Sequence, residues 1–143
     1  MVARIATVSR GGRPSVIPLY FVPVDGRIWL GTVDWTLAAR NVNADPRVSV
    51  LFDVACDPGN GWVLRISGRA TVRVDQFIQR SYNRRVVRKY VLRPGGIRNA
   101  LTHLRQLPLT RNYRAQGAER GRACVIEVTP ERAALLFDDG RPQ

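Results

Sequence analysis

Between Arg27 and Asp53 the pattern of apolar and polar positions changes period twice, and those changes locate three elements. Arg27-Ile-Trp-Leu-Gly-Thr32 is a strand-like run that follows Asp25-Gly26, a two-residue signal of the kind that closes hairpins. Its expected partner is the run just upstream, Pro14 to Val24. From about Trp35 to Ala44 the spacing turns helical, with Trp35, Leu37, Ala38, Ala39 and Val42 as its apolar positions. Asp34 or Thr36 is placed to cap this helix, and Asp45-Pro46 stops it. Val48, Val50 and Phe52 then alternate with Ser49, Leu51 and Asp53, which predicts another strand.

The same reading continues to the C-terminal end. Ile5 to Ser9 and Trp62 to Val74 read as strands, and Gly68 in the middle of the second predicts a bulge or bend at a barrel corner. Ala123 to Thr129 and Arg132 to Phe137, separated by Pro130-Glu131, read as a last pair of strands. Between them, Phe77, Ile78, Tyr82, Val86, Val87 and Tyr90 recur at helical spacing, so Asp75 to Val91 is expected to be a helix with one apolar and one basic face. Pro94-Gly95-Gly96 ends it, Ile97 to Leu107 suggests a shorter helix, and the rest up to Gly121 reads as loop. The sum is a mainly β single domain over residues 1–143: a barrel of six or seven strands with flanking helices and a basic helical insertion at about 75–121.

Composition narrows the chemistry. A chain of 143 residues suffices for one domain with its own core. No run of about twenty apolar residues is present, so no membrane helix is expected. The start, Met1-Val-Ala-Arg-Ile, enters a strand pattern without the apolar region of a secretion signal, and a cytoplasmic location is the expectation. Cys56 and Cys124 have no metal-binding spacing, and His103 has no second histidine or carboxylate set around it, so no metal site is expected. There is no nucleophile elbow, paired catalytic carboxylate motif or histidine-centred triad, and the sequence assigns no catalytic residue. Lys and Arg number 23 against 11 Asp and Glu, a net charge of +12, and Lys89 is the only lysine. Guanidinium groups fork onto phosphate and carboxylate, so an anionic partner is favoured: a phosphorylated cofactor, an acidic tail or nucleic acid. Nothing resembling a helix-turn-helix, zinc knuckle or aromatic RNA-binding signature accompanies the charge, so nucleic acid ranks below a cofactor.

The order of an ATVSRGGRPSVIPLYFV hairpin, a GRIWLGT strand, an ARNVNADPRVSVLF helix-to-strand step and a later WVLRISGRATV strand resembles the pyridoxamine 5'-phosphate oxidase-like split β-barrel proteins. The resemblance spans about residues 3 to 75, with a looser match near Ala123 to Phe137. It implies an FMN-binding-protein-like barrel that works as a homodimer. It also implies an oxidoreductase using FMN or the deazaflavin F420, in which the cofactor ring carries the hydride and the protein positions it. The small-molecule substrate is left open, and the cationic surface tilts the choice towards F420 because of that cofactor's oligoglutamate tail.

Carried over by position, the resemblance puts the ring against the central strands, at Trp29, Gly31 and Trp62, and the phosphate near the start of the helix. Thr32 and Thr36 match the hydroxyl positions of the family pattern, and Arg40 and Asn41 match its ending. Many members carry a lysine three residues before that asparagine, where this chain has Ala38; Arg40, Arg47 or a residue of the partner subunit is then expected to supply the cation. Lys89, with Arg80, Arg84, Arg85 and Arg88, offers a surface for the acidic tail. Two further readings stay open: a barrel that holds a flavin or tetrapyrrole without turnover, and a basic nucleic-acid-binding protein.

Overall fold

The computed structural model describes residues 2–53, 62–91 and 121–137. Seven strands form one antiparallel sheet: β1 (Ala3–Val8), β2 (Pro14–Leu19), β3 (Phe21–Val24), β4 (Arg27–Val33), β5 (Arg47–Asp53), β6 (Trp62–Arg73) and β7 (Ala123–Phe137). Two helices accompany them, α1 (Leu37–Ala44) and α2 (Gln76–Val86), the latter widening into a π-helical turn over Val87–Val91. The strand order is β2-β1-β5-β6-β7-β4-β3. Its two outer strands, β2 and β3, are consecutive in the chain with only Tyr20 between them, so the sheet curls until its edges approach. The Gly31 amide donates to the Tyr20 carbonyl, which extends the β3–β4 ladder up to the joint with β2. This is the split β-barrel expected from the sequence.

The expected strand Pro14 to Val24 is in fact two. Residues 14–19 pair with β1, whereas Phe21–Val24 pairs with β4. The run from Val16 to Val24 is apolar or proline apart from the Tyr20 hydroxyl, so no local signal marks the switch. The Asp25-Gly26 hairpin forms as read, with positive φ at both residues, 48° and 75°. Such a turn follows the right-handed twist of the strands it joins.

At the other end the correction is opposite. Ala123 to Thr129 and Arg132 to Phe137 are not partners of one another but two halves of the single strand β7, and both lie along β6. The Pro130-Glu131 step that reads as a turn is absorbed by a bulge: Gly68 pairs with Pro130 and Ser67 with Arg132, which leaves Glu131 unopposed. Proline has no amide to give to the ladder, so a bulge is where it fits. Gly68 is therefore the corner residue, as its position in the sequence suggested.

The barrel interior is filled by Ile5, Ile28, Leu30, Val50, Ile126 and Val128, and Ala38 and Val42 of α1 close one side of it. Helix α2 lies on the opposite face of β3, β4 and β7, where Ile78 and Tyr82 cover Val22, Trp29 and Val125. Alternate residues of β4 thus serve two cores. Trp29 is buried, and Trp35 is 49% exposed. The shorter helix expected over Ile97 to Leu107, the loop after it, His103 and Cys56 lie outside the described residues.

Candidate functional site

Helix α1 starts two residues later than the apolar pattern suggests, because Thr36 is the residue that caps it. The Thr36 hydroxyl accepts from the Ala39 amide at 3.4 Å and donates to the Val33 carbonyl at 2.8 Å. Its proton being spent on Val33, the 3.0 Å contact between Thr32 and Thr36 has Thr32 as the donor. The two hydroxyls that the family resemblance brings to a phosphate are together, and their protons are used within the helix start.

Four residues on, the helix turns one face inward. Asn41 is 4% exposed, and its amide donates to the Thr7 hydroxyl at 3.0 Å and to Ser15 at 3.1 Å. Thr7 and Ser15 are themselves 2.9 Å apart. A buried amide demands such partners, since leaving it unpaired costs about 1–3 kcal/mol. This triangle fastens α1 to β1 and β2, the strands that flank the Ser9–Arg13 turn. That turn is closed by the Ser9 amide on the Arg13 carbonyl, and Gly12 takes a positive φ of 77°.

The consequence is a shallow, open depression of about 460 Å³ between the turn and the helix, lined by Arg10, Leu37, Arg40, Asn41, Asn43 and Ala44. Arg10 and Arg40 are both exposed, and neither has a carboxylate partner among the described residues. Leu37, 44% exposed, adds an apolar wall. Trp35 just before it lies against Gly121, where any side chain would collide with the indole. An apolar shelf beside two unpaired guanidinium groups is a donor set suited to a ligand with a flat ring and an anionic end.

The remaining sequence-derived site residues lie apart from this depression. Position 38 points into the barrel core, and Ala38 is wholly buried. A lysine there would begin in the apolar core, and the outward position on this turn is Arg40. Arg47 is committed to Asp45, with Nη2 to Oδ2 at 2.6 Å and Nε to Oδ1 at 3.0 Å. Trp29 donates from Nε1 to Glu127 at 3.0 Å beneath α2, and Glu127 also meets Arg27 at 2.8 Å. Gly31 is covered by the Tyr82 ring, whose hydroxyl donates to the Tyr20 carbonyl at 2.9 Å. Lys89 donates to the Phe21 carbonyl at 3.1 Å and lies over the Phe21 ring; with Arg85 and Arg88 it borders a second groove along Val22 and Pro23. Trp62 begins β6 opposite Phe137. Arg10 was not found from the sequence. The Gly11-Gly12 turn places it at a hairpin tip, but only the Asn41 bonds bring that tip to the helix.

Two titrating groups are displaced. Burial, with Asp34 nearby, pushes the Cys124 thiol up to about 11, so this buried cysteine stays a thiol. The Arg47 hydrogen bonds at Asp45 lower its carboxyl from 3.8 to about 2. A folded-state value below the unfolded one stabilises the fold above the unfolded value, and the stabilisation is lost as pH falls through the folded one. Comparing denaturation midpoints of the native protein and Asp45→Asn from pH 7 to pH 2 should therefore show a gap that is constant above pH 4 and closes towards pH 2. A gap of constant size throughout would mean that the Arg47 pair is not its source. Among the described residues no cluster of three or more potential metal ligands occurs, and no helix is long and apolar enough to cross a membrane.

A model of the pyridoxamine 5'-phosphate oxidase family matches residues 1–137. No curated protein matches the chain by sequence. Among solved structures, a conserved hypothetical protein of Mycobacterium tuberculosis is 18% identical, with a TM-score of 0.67 over 99% of this chain and 81% of that one. A FAD-binding protein of Mesorhizobium loti is 19% identical, with a TM-score of 0.61 over 94% and 83% of the two chains. An F420 reductase is 16% identical, with a TM-score of 0.60 over 94% and 89%. At these identities the likeness is one of fold.

Proposed function

Because the chain belongs to the pyridoxamine 5'-phosphate oxidase family, we propose that it is an oxidoreductase whose flavin-type cofactor, F420 or FMN, is anchored by its phosphate at Arg10 and Arg40. The observation that carries this reading is the pair of exposed guanidinium groups, without carboxylate partners among the described residues, beside the exposed apolar side chain of Leu37. The bound cofactor supplies the hydride chemistry. The protein's own part is to hold the phosphate with charge-assisted bonds, lay the ring on an apolar surface and keep water from it. F420 is preferred over FMN because the arginine surplus, +12 in net charge, suits an acidic tail. A homodimer is part of the same reading, because the depression is open and a second copy would bury the exposed side of a tricyclic ring. The substrate is a small molecule admitted between the two subunits.

Titration of the purified protein with F420 and with FMN, read by tryptophan quenching, tests this. One of them should bind at micromolar concentration or tighter. Arg40→Glu should weaken that binding at least about tenfold, the loss expected for a charge-assisted hydrogen bond of about 1.5–3 kcal/mol turned into repulsion. The melting temperature should not move, because Arg40 is exposed. Failure of the native protein to bind either cofactor would overturn the proposal.

A further inference from the structure

The charge surplus is not spread evenly over the described surface. Of the strand arginines, Arg4, Arg27, Arg47, Arg69 and Arg73 each meet a carboxylate, Asp53, Glu127, Asp45, Glu131 and Glu127, while Arg65 and Arg132 stand exposed without one among the described residues. On α2, Arg80 and Arg84 are exposed, and neither has a carboxylate partner among the described residues. They share a stripe with Phe77, since positions i, i+3 and i+7 fall on one helical face. Phe77 is 76% exposed, the most open of the large apolar side chains described. The opposite face of the helix, Ile78 and Tyr82, is buried on the sheet. So the helix is firmly seated, and what it shows to solvent is one aromatic ring followed by cations.

We propose that this outer stripe of α2 docks single-stranded nucleic acid, with Arg80 and Arg84 on successive phosphates and the Phe77 ring under a base. Arg80 and Arg84 are four residues apart, about 6 Å of helical rise, a spacing that lets each long side chain reach its own phosphate. An aromatic ring beside a basic track is the arrangement that binds single strands with little sequence preference, because every base offers a face to stack on. An anionic membrane fits less well. Surface helices enter a bilayer by an apolar face, and the apolar face of α2 is already covered by β3, β4 and β7. A second copy of the chain fits this stripe less well, because a symmetric contact here would set Arg80 and Arg84 against the same cations of the other copy. The stripe lies on the other side of the sheet from α1, so the inference stands independently of the cofactor proposal.

The test uses the full-length protein and a fluorescein-labelled twenty-nucleotide oligothymidine, with anisotropy read over a salt series. Native protein should bind with an affinity that falls as salt rises. Arg80→Gln with Arg84→Gln should reduce the salt slope by about 1.4 in log–log terms, the share of two phosphates on a single strand. Phe77→Ala should weaken the single strand roughly tenfold, while leaving a duplex of the same length almost unchanged. Unaltered thermal melts of both variants show that any loss is local. Full affinity in the double arginine variant overturns the proposal. So does equal weakening of single strand and duplex by Phe77→Ala, or binding of polyglutamate or phosphatidylserine vesicles as tight as that of the oligonucleotide.

Discussion

Gly68→Val is expected to destabilise the protein by about 3 kcal/mol, a large part of the total stability of a small domain. A side chain at position 68 would run into the Thr129 carbonyl oxygen and lie 3.0 Å from its carbon and 3.1 Å from the Pro130 Cα. All three are backbone atoms held in the β6–β7 ladder, so they cannot swing aside as the end of a flexible side chain would. The only relief is to open the bulge, and with it the register of the longest strand pair in the sheet. Gly68→Ala should show a smaller version of the same loss. Gly11→Ala is the control: a Cβ there meets nothing within 4 Å, and its effect should stay within about 0.5 kcal/mol. Urea denaturation of the three variants measures this directly. If Gly68→Val unfolds at the same midpoint as Gly11→Ala, the tight approach at the corner is not a constraint on the fold.

That corner also shows how far the sequence can be read. Gly68 was legible because a glycine inside an otherwise strand-forming run needs a reason, and close backbone approach is the usual one. Its counterpart Pro130-Glu131 was misread as a turn, since a proline next to a charged residue signals a break and only the partner strand reveals that the break is a bulge. The split at Tyr20 was invisible for the opposite reason. Val16 to Phe21 is apolar or proline throughout apart from the Tyr20 hydroxyl, and no local signal marks where one partner is exchanged for another. The hairpin turn, the Asp45-Pro46 stop and the span of β5 were legible because each is decided by the residues themselves.

The site was less legible than the fold. Periodicity assigned α1 its apolar residues, but not which of its flanks meets the β1–β2 turn. The family pattern has its cation at position 38, which helical geometry turns into the core, and of the substitutes expected from the sequence Arg47 is taken by Asp45. Arg40, two residues later, faces outward. Its companion Arg10 is thirty positions upstream, and the side chains that bring the two together, Thr7, Ser15 and Asn41, are polar residues that a sequence reader assigns to turns and caps. What decides the site is a buried hydrogen-bonded triangle between elements, and such a contact leaves no periodic trace.

Leu30→Ala separates the two things that make this site, the cations and the platform that holds them. Leu30 is wholly buried in the middle of β4, flanked by Phe21 of β3 and Ile126 of β7. It belongs to the same apolar cluster as Ala38 and Val42, the underside of α1. Truncating it should cost about 2–5 kcal/mol, the transfer free energy of the lost methyl groups plus that of the cavity left behind. The cavity opens in the cluster that also holds the underside of the helix carrying Arg40, so cofactor affinity should fall with stability even though Leu30 is enclosed in the barrel. Arg40→Glu should do the reverse, removing affinity and sparing stability. Measured together by urea denaturation and cofactor titration, the two variants distinguish a site that depends on its support from one made by surface charge alone. If Leu30→Ala loses stability and binds the cofactor as tightly as the native protein, α1 is held by the Asn41 triangle without help from the core, and the apolar underside of the helix serves stability only.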